Sequence, residues 1–355
     1  MKKSGKKTID NVDKKISNKK SIPNKSLKST KSNSKSSKSS NSSKIDNSLK
    51  ADKSSKNKDN RILEITTTHT GAIKQVVERI SGVISDCCIV FIPPDKDINA
   101  DEDDDYFEEV DDQSKTKSKK NPNKKQPSKK NTGGIRILRL TEDKSILIKL
   151  NLEASKFDSF RCDEPKITIG VDMHNLHDHL KTINDDEPIL FYMNRDNRSI
   201  LYIRSLNENS GETDIEIFLM EIGNPDLPIP KTEFQNRITM ASDKFHTICK
   251  HLNNNSTFVE ITSIDNEISF KGQNEGGKVT RKYRDPNKKK SKDSGQIVQG
   301  VYDLRNLMGF SKCSKLCPTI DIYLKNDFPL VLVISVAILG KMYVFLSPIE
   351  RDNNQ

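Results

Sequence analysis

Apolar residues along this chain recur with two different periods, and the switches between them lay out the fold. From Arg61 the residues Ile62-Leu63-Glu64-Ile65 begin a strand-like alternation. Over 71–84 the period lengthens, and Ile73, Val76, Val77, Ile80 and Ile84 fall on one face of a helix. Three later segments repeat that spacing: 172–183 with Met173, Leu176, Leu180 and Ile183; 242–252 with Phe245, Ile248, Cys249 and Leu252; and 303–313 with Leu304, Leu307 and Met308. The remaining ordered sequence alternates as strands do. The apolar run 329–339 stops at Gly340-Lys341 and is too short to cross a bilayer, so it predicts a buried strand and a turn, and no membrane segment.

The pattern is duplicated. The second and fourth helices are entered by similar words, Gly170-Val171-Asp172-Met173-His174-Asn175-Leu176 and Gly300-Val301-Tyr302-Asp303-Leu304-Arg305-Asn306-Leu307. Each half therefore reads as helix, strands, helix, strands. Between the halves lies Gly223-Asn224-Pro225-Asp226-Leu227-Pro228-Ile229-Pro230, whose prolines remove ladder donors and favour an extended linker. The expected class is α+β: two similar domains, 61–222 and 235–350, each a β-sheet with two helices on one face, joined by a connecting loop over 223–234. A charged low-complexity stretch, 93–133, separates Cys88-Ile89-Val90-Phe91 from Ile135-Arg136-Ile137-Leu138 and reads as a disordered insertion at a hairpin tip, where added length costs little. A shorter basic loop interrupts the second half at 285–293, and 351–355 forms a C-terminal tail.

Composition changes this picture at one end only. Residues 1–60 carry 18 Lys against 5 Asp and almost nothing apolar, so they predict a disordered tail. The whole chain is +10, which leaves −3 for everything after the tail. The basic character thus belongs to a segment that either binds phosphate-rich partners weakly or only solubilises. Six cysteines without scaffold spacing or a secretory leader point to a reducing, intracellular compartment. Cys87 and Cys88 are adjacent on a strand, which by alternation buries one of them.

Candidate chemistry is thin. His174 and His177 share a helix face, but no Cys or carboxylate pattern completes a metal site. Cys313 and Cys317 lack a second pair, Gly276-Gly277-Lys278 lacks the frame of a phosphate loop, and the acidic run 101–112 is a solvated charge block. No nucleophile–base set appears. The expectation is a protein without catalytic residues, metal or cofactor.

Several ordered motifs resemble one family, the proliferating-cell-nuclear-antigen (PCNA) sliding clamps. Lys156-Phe157-Asp158-Ser159-Phe160-Arg161-Cys162-Asp163, followed by Ile169-Gly170-Val171, is similar to the family's "GFDxYRCD…MGVN" signature. Thr213-Asp214-Ile215-Glu216-Ile217-Phe218-Leu219-Met220 resembles the strand leading into its interdomain loop. Leu304-Arg305-Asn306-Leu307 with Phe310-Ser311-Lys312, Asp327-Phe328-Pro329-Leu330-Val331, and Tyr343-Val344-Phe345-Leu346-Ser347-Pro348 resemble its last helix and its terminus. A composition rich in Asn, Lys and Ile fits an AT-rich genome such as that of a large DNA virus.

The resemblance implies a head-to-tail homotrimer closed into a ring, with sheets outside and helices around a central hole, its interface strands being 213–219 and 277–283. It implies a non-enzymatic processivity factor, loaded by a clamp loader ATPase, that encircles double-stranded DNA without sequence preference and tethers DNA polymerase and other plug-motif proteins. The positions matching its DNA-facing residues are Lys74, Arg79, Lys181, Lys250, Arg305 and Lys312, with Asp178 and Thr247 departing from the family's basic pattern and His174, His177, His246 and His251 nearby. The positions matching its partner pocket are Leu140, Leu227, Ile229, Pro230, Phe234, Pro329, Phe345, Leu346 and Pro348; Leu140 replaces the common Met, and Phe234 and Phe345 the common Tyr. The site of action would be the nucleus, or a cytoplasmic replication site if viral. The competing expectation is a clamp-fold interaction scaffold that does not encircle DNA.

Overall fold

A computed structural model describes residues 60–94, 133–206, 213–223, 227, 229, 232–288 and 297–349. The tail over 1–60 apart from Asn60, the insertion over 93–133 apart from its ends, Pro230, and the terminal 351–355 lie outside the described residues.

The first half runs β1 (Arg61–Thr67), α1 (Thr70–Ser81), β2 (Asp86–Ile92), β3 (Gly134–Leu140), β4 (Ile146–Glu153), β5 (Ser159–Cys162), β6 (Ile167–Asp172), α2 (Met173–Leu180), β7 (Ile189–Asn194), β8 (Asn197–Ser205) and β9 (Asp214–Phe218). The second runs β10 (Asn236–Ala241), α3 (Ser242–Asn253), β11 (Phe258–Ile264), β12 (Glu267–Asn274), β13 (Gly277–Arg284), β14 (Val298–Asp303), α4 (Leu304–Ser311), β15 (Thr319–Leu324), β16 (Leu330–Val336) and β17 (Gly340–Leu346). Setting aside β5, the element order is the same in both halves. The four helices lie where the apolar spacing predicts, each shorter at its C-terminus or N-terminus by a few residues except α3.

The strand orders repeat as well. The first domain pairs β1-β7-β8-β9, with β5 outside β1, and β4-β3-β2-β6; the second pairs β10-β15-β16-β17 and β13-β12-β11-β14. All these ladders are antiparallel. The two domains are then welded by one further ladder, β17 against β4, from Gly340↔Leu152 to Leu346↔Ile146. An eight-stranded sheet, β10-β15-β16-β17-β4-β3-β2-β6, thus runs through the domain boundary. Gly340 permits that weld. A β-carbon there would fall 2.0 Å from the Asn151 carbonyl oxygen, so a side chain would force the strands apart.

Matching devices hold each domain together. The N-cap carboxylates Asp172 and Asp303 accept from the amides of Asn175 (2.9 Å) and Arg305 (2.7 Å), satisfying donors that α2 and α4 would otherwise leave open. The chain after each last strand is tied back across the domain: the Met220 amide donates to the Gly170 carbonyl and the Ile349 amide to the Val301 carbonyl, at 3.0 and 2.7 Å. Helices α1 and α2 pack side by side, as do α3 and α4. Their apolar stripes join the inner faces of the sheets in one core that includes residues of both domains, among them Ile80, Leu180, Phe245, Phe270 and Phe310.

One strand-level expectation fails. Cys87 and Cys88 are both buried, because the segment leaving β9 covers the outer side of β2 at Cys88. Cys87 meets the Met173 sulfur beneath α2, while the Cys88 thiol donates to the Ile222 carbonyl of the segment leaving β9.

Candidate nucleic-acid face and partner groove

With their stripes turned inward, the helices present their polar sides together, away from the sheets. On α1 that side carries Glu78; at the same turn α3 carries Lys250, since the buried sets Ile73, Val76, Val77, Ile80 and Phe245, Ile248, Cys249, Leu252 fall in the same register. The six cations matched to DNA contact are placed very differently. Lys74 is largely buried, its ammonium 2.6 Å from the Asp185 carboxylate and 2.6 Å from the Ile183 carbonyl. Arg79 is only 14% exposed at its side chain and reaches Glu78 at 3.2 Å. Lys181 is open to solvent but pairs with Asp178 at 2.8 Å. Lys250 and Lys312 are exposed and make no ion pair among the described residues. Arg305 is 77% exposed, with Asp303 at a loose 3.9 Å.

Two histidines sit inside this charged layer. His246 Nδ1 lies 2.9 Å from Ser311 Oγ, which links α3 to α4. Burial first, then the Lys312 and Lys250 charges, hold its pKa below the usual imidazole value; the Asp243 carboxylate opposes them, and Arg79 adds to the depression. Burial followed by Lys181 does the same for His177, against Glu78 and Asp178 and again with Arg79. The Arg79 charge therefore acts on helices of both domains.

On the opposite, outer face the ladder registers align one apolar row across five strands: Tyr323, Val331, Phe345, Leu147 and Leu140. The next row holds Asp321, Val333, Tyr343, Lys149 and Leu138. Ile229 of the connecting loop packs onto these rows, forming a second apolar cluster with Val331, Val333 and Phe345, flanked by Leu138, Leu147, Phe234, Tyr323, Phe328 and Tyr343. Phe234 is fixed by edge contacts to Tyr323 (5.3 Å) and Phe328 (5.5 Å). Arg237 lies over the Tyr323 ring and Lys325 over Phe328.

Of the nine positions matched to the partner pocket, Ile229, Phe234 and Phe345 come together in this cluster. Leu227 and Pro329 are half-buried, and Pro348 is exposed. Leu140 ends the apolar row and also lines a cleft of about 580 Å³ with Asp86, Arg139, Glu142 and Asp143. Leu346 faces inward and belongs to the main core. The cluster members that sequence reasoning missed are Leu138, Leu147, Val331, Val333, Tyr323, Tyr343 and Phe328. Strand alternation marks most of them as outward-facing, but only the β17–β4 pairing brings them to one place.

The Cys87 and Cys249 thiols are pushed up to about 12 by burial, which keeps them protonated. Among the described residues no group of three or more His, Cys, Asp or Glu could hold a metal ion.

Comparison with known proteins matches residues 125–225 to the proliferating cell nuclear antigen N-terminal domain and residues 228–349 to its C-terminal domain. The structure adds β1, α1 and β2 ahead of the first matched span. The chain is 67% identical over 299 residues to a probable DNA polymerase sliding clamp of Acanthamoeba polyphaga mimivirus, covering 83% of this chain and 64% of that protein. It is 28% identical over 301 residues to an uncharacterized protein of the same virus, covering 83% and 81%. A probable DNA polymerase sliding clamp 1 of Paramecium bursaria Chlorella virus 1 is 28% identical over 225 residues, covering 61% and 84%. With both of its domain models matched in order, and with the repeated α+β architecture, the chain belongs to the proliferating cell nuclear antigen family.

Proposed function

We propose that three copies of this chain close head to tail into a ring around double-stranded DNA, as a sliding clamp that tethers DNA polymerase and other proteins without chemistry of its own. One observation carries the reading. The duplication makes β9 the counterpart of β17, and β13 the counterpart of β4, yet among the described residues only β17 and β4 are paired. Strands β9 and β13 end their sheets, so the join made inside one chain is available again between chains. Repeated at each boundary, a heterologous contact of that kind closes into a ring of six similar domains. Exposed sheet edges invite such pairing.

The surfaces agree. Phe218 is 75% exposed on β9. Strand β9 shows Asp214 and Glu216, and β13 shows Lys278, Arg281, Lys282 and Arg284, which are opposite in sign. In that ring the helices face the hole and the cluster around Ile229 and Phe345 faces outward, where an apolar helical plug of a polymerase would dock. A separate clamp loader ATPase would open the ring, at an intracellular site of DNA replication.

Mass measurement of the full chain in solution tests this. The expected particle is three times the 40.2 kDa chain; a stable monomer at micromolar concentration would refute the ring. The carboxylates Glu78 and Asp178 on the helix layer favour a second reading, a clamp-fold scaffold that binds proteins but not DNA. A trimer with no affinity for duplex would support that alternative.

A further inference from the structure

The two helix pairs repeat in shape but not in charge. Helix α1 matches α3 position by position, so Glu78 stands where α3 has Lys250, and Lys74 where it has His246. From their N-cap aspartates, α2 and α4 also match, which sets His174 against Arg305 and Asp178 against Gly309. In the first domain every cation of this layer is matched by a carboxylate: Lys74 by Asp185 at 2.6 Å, Arg79 by Glu78 at 3.2 Å and Lys181 by Asp178 at 2.8 Å. Two of those cations are also largely buried, while the carboxylates Glu78, Asp178 and Asp185 are 45%, 68% and 64% exposed. What solvent meets there is acid-edged.

The second domain is the reverse. Lys244, Lys250 and Lys312 are exposed and make no ion pair among the described residues. Arg305 reaches Asp303 only at 3.9 Å. On α3 and α4 themselves the lone opposing carboxylate is Asp243.

Resting on the ring reading above, we propose that the duplex is held by the second-domain helices alone, through Lys244, Lys250, Arg305 and Lys312, and that the first-domain helices are spacers whose Glu78 and Asp178 repel phosphate. The ring then offers three attracting sectors alternating with three weakly repelling ones. Screening limits each charge to about 8–10 Å at physiological salt, so neighbouring sectors blend only near their boundaries. A clamp built this way neutralises few phosphates at once, which keeps its hold weak enough to slide.

The test is equilibrium binding of the full-length protein to a short linear duplex, which a closed ring can thread, over a series of salt concentrations. Every variant is first weighed to establish that it is still a trimer. Replacing Lys250→Gln together with Lys312→Gln is expected to lower affinity at low salt by about tenfold or more and to flatten the salt slope by about one for each phosphate no longer neutralised. Removing the neutral pair, Asp178→Asn with Lys181→Gln, is expected to leave affinity within about twofold, because a cancelled charge contributes little. Charge reversal by Glu78→Lys with Asp178→Lys is expected to tighten binding several-fold and to steepen the slope. Equal losses from the two neutralising doubles, or no gain from the reversal, would overturn the lopsided grip while leaving the ring reading intact. A wild-type trimer whose binding shows no salt dependence would overturn both.

Discussion

If β9 of one copy pairs antiparallel with β13 of the next in the register that gives both β9 carboxylates a cation, two specific charge pairs cross each boundary. Tyr283 is the half-buried residue of β13 that packs against the core, and Ile215 and Ile217 are the inward residues of β9. Setting Tyr283 opposite Ile215 places Thr280 opposite Phe218, Lys282 opposite Glu216 and Arg284 opposite Asp214. These groups already have exposed partners in their own chain, Glu267 for Lys282 (3.3 Å) and Arg284 (2.9 Å), and Arg204 for Asp214 (2.6 Å). Each crossing pair is therefore an exchange among solvated charges, worth about 0.5 kcal/mol. Glu216→Lys turns one attraction into a repulsion of similar size, a change of about 1 kcal/mol per boundary. Over three boundaries this comes to about 3 kcal/mol, or about two decades in the trimer dissociation constant. Sedimentation equilibrium over a dilution series reads that shift directly. Lys282→Glu should weaken the trimer to a similar extent, and the two changes combined should recover most of the loss. A double variant as weak as the sum of the singles would show that Glu216 and Lys282 do not meet, and that register would be wrong.

Three further outcomes follow from packing and titration. Ile229→Ala and Phe345→Ala should each weaken binding of an apolar helical plug peptide by about tenfold or more, since buried aliphatic and aromatic anchors dominate such grooves, while leaving duplex affinity unchanged; fluorescence anisotropy with a labelled peptide measures it. Gly340→Val should lower the thermal midpoint by many degrees, because a β-carbon has only 2.0 Å to the Asn151 carbonyl oxygen; a variant melting within a degree or two of the parent would mean that the β17–β4 weld can shift. His177 and His246 have folded pKa values below the ordinary 6.5, so the native state resists their protonation. Their contribution to stability is present above 6.5 and lost as the pH falls below it, and His246→Gln should flatten the decline in melting temperature between about pH 7 and 5.

The sequence makes the helices and the duplication legible because both are local. A stripe such as Ile73, Val76, Val77 and Ile80 can be buried only one way, and the similar words at Gly170 and Gly300 mark equal roles. Pairing between distant strands is not local. Nothing in Gly340-Lys341-Met342 specifies β4 as its neighbour, so the row from Tyr323 to Leu140 becomes visible only with the fold. Cation placement fails for a related reason. Lys74 lies beside the apolar stripe of α1 and reads as solvent-facing, but the turn after α2 brings Asp185 and the Ile183 carbonyl over it. The contrast between Glu78 and Lys250 is available from aligning the two helices in sequence. Its meaning depends on knowing that Arg79 and Lys181 are already matched by carboxylates.

Topological retention tests the central claim most directly. The full-length protein is threaded onto a linear duplex whose ends are then ligated into a closed circle, unbound material is removed at moderate salt, and the circle is cut once with a restriction enzyme. A ring that encircles DNA stays on the intact circle and leaves within minutes of linearisation by sliding off the ends. Protein that remains bound after the cut, or that never outlasts the salt wash on the circle, would contradict the account.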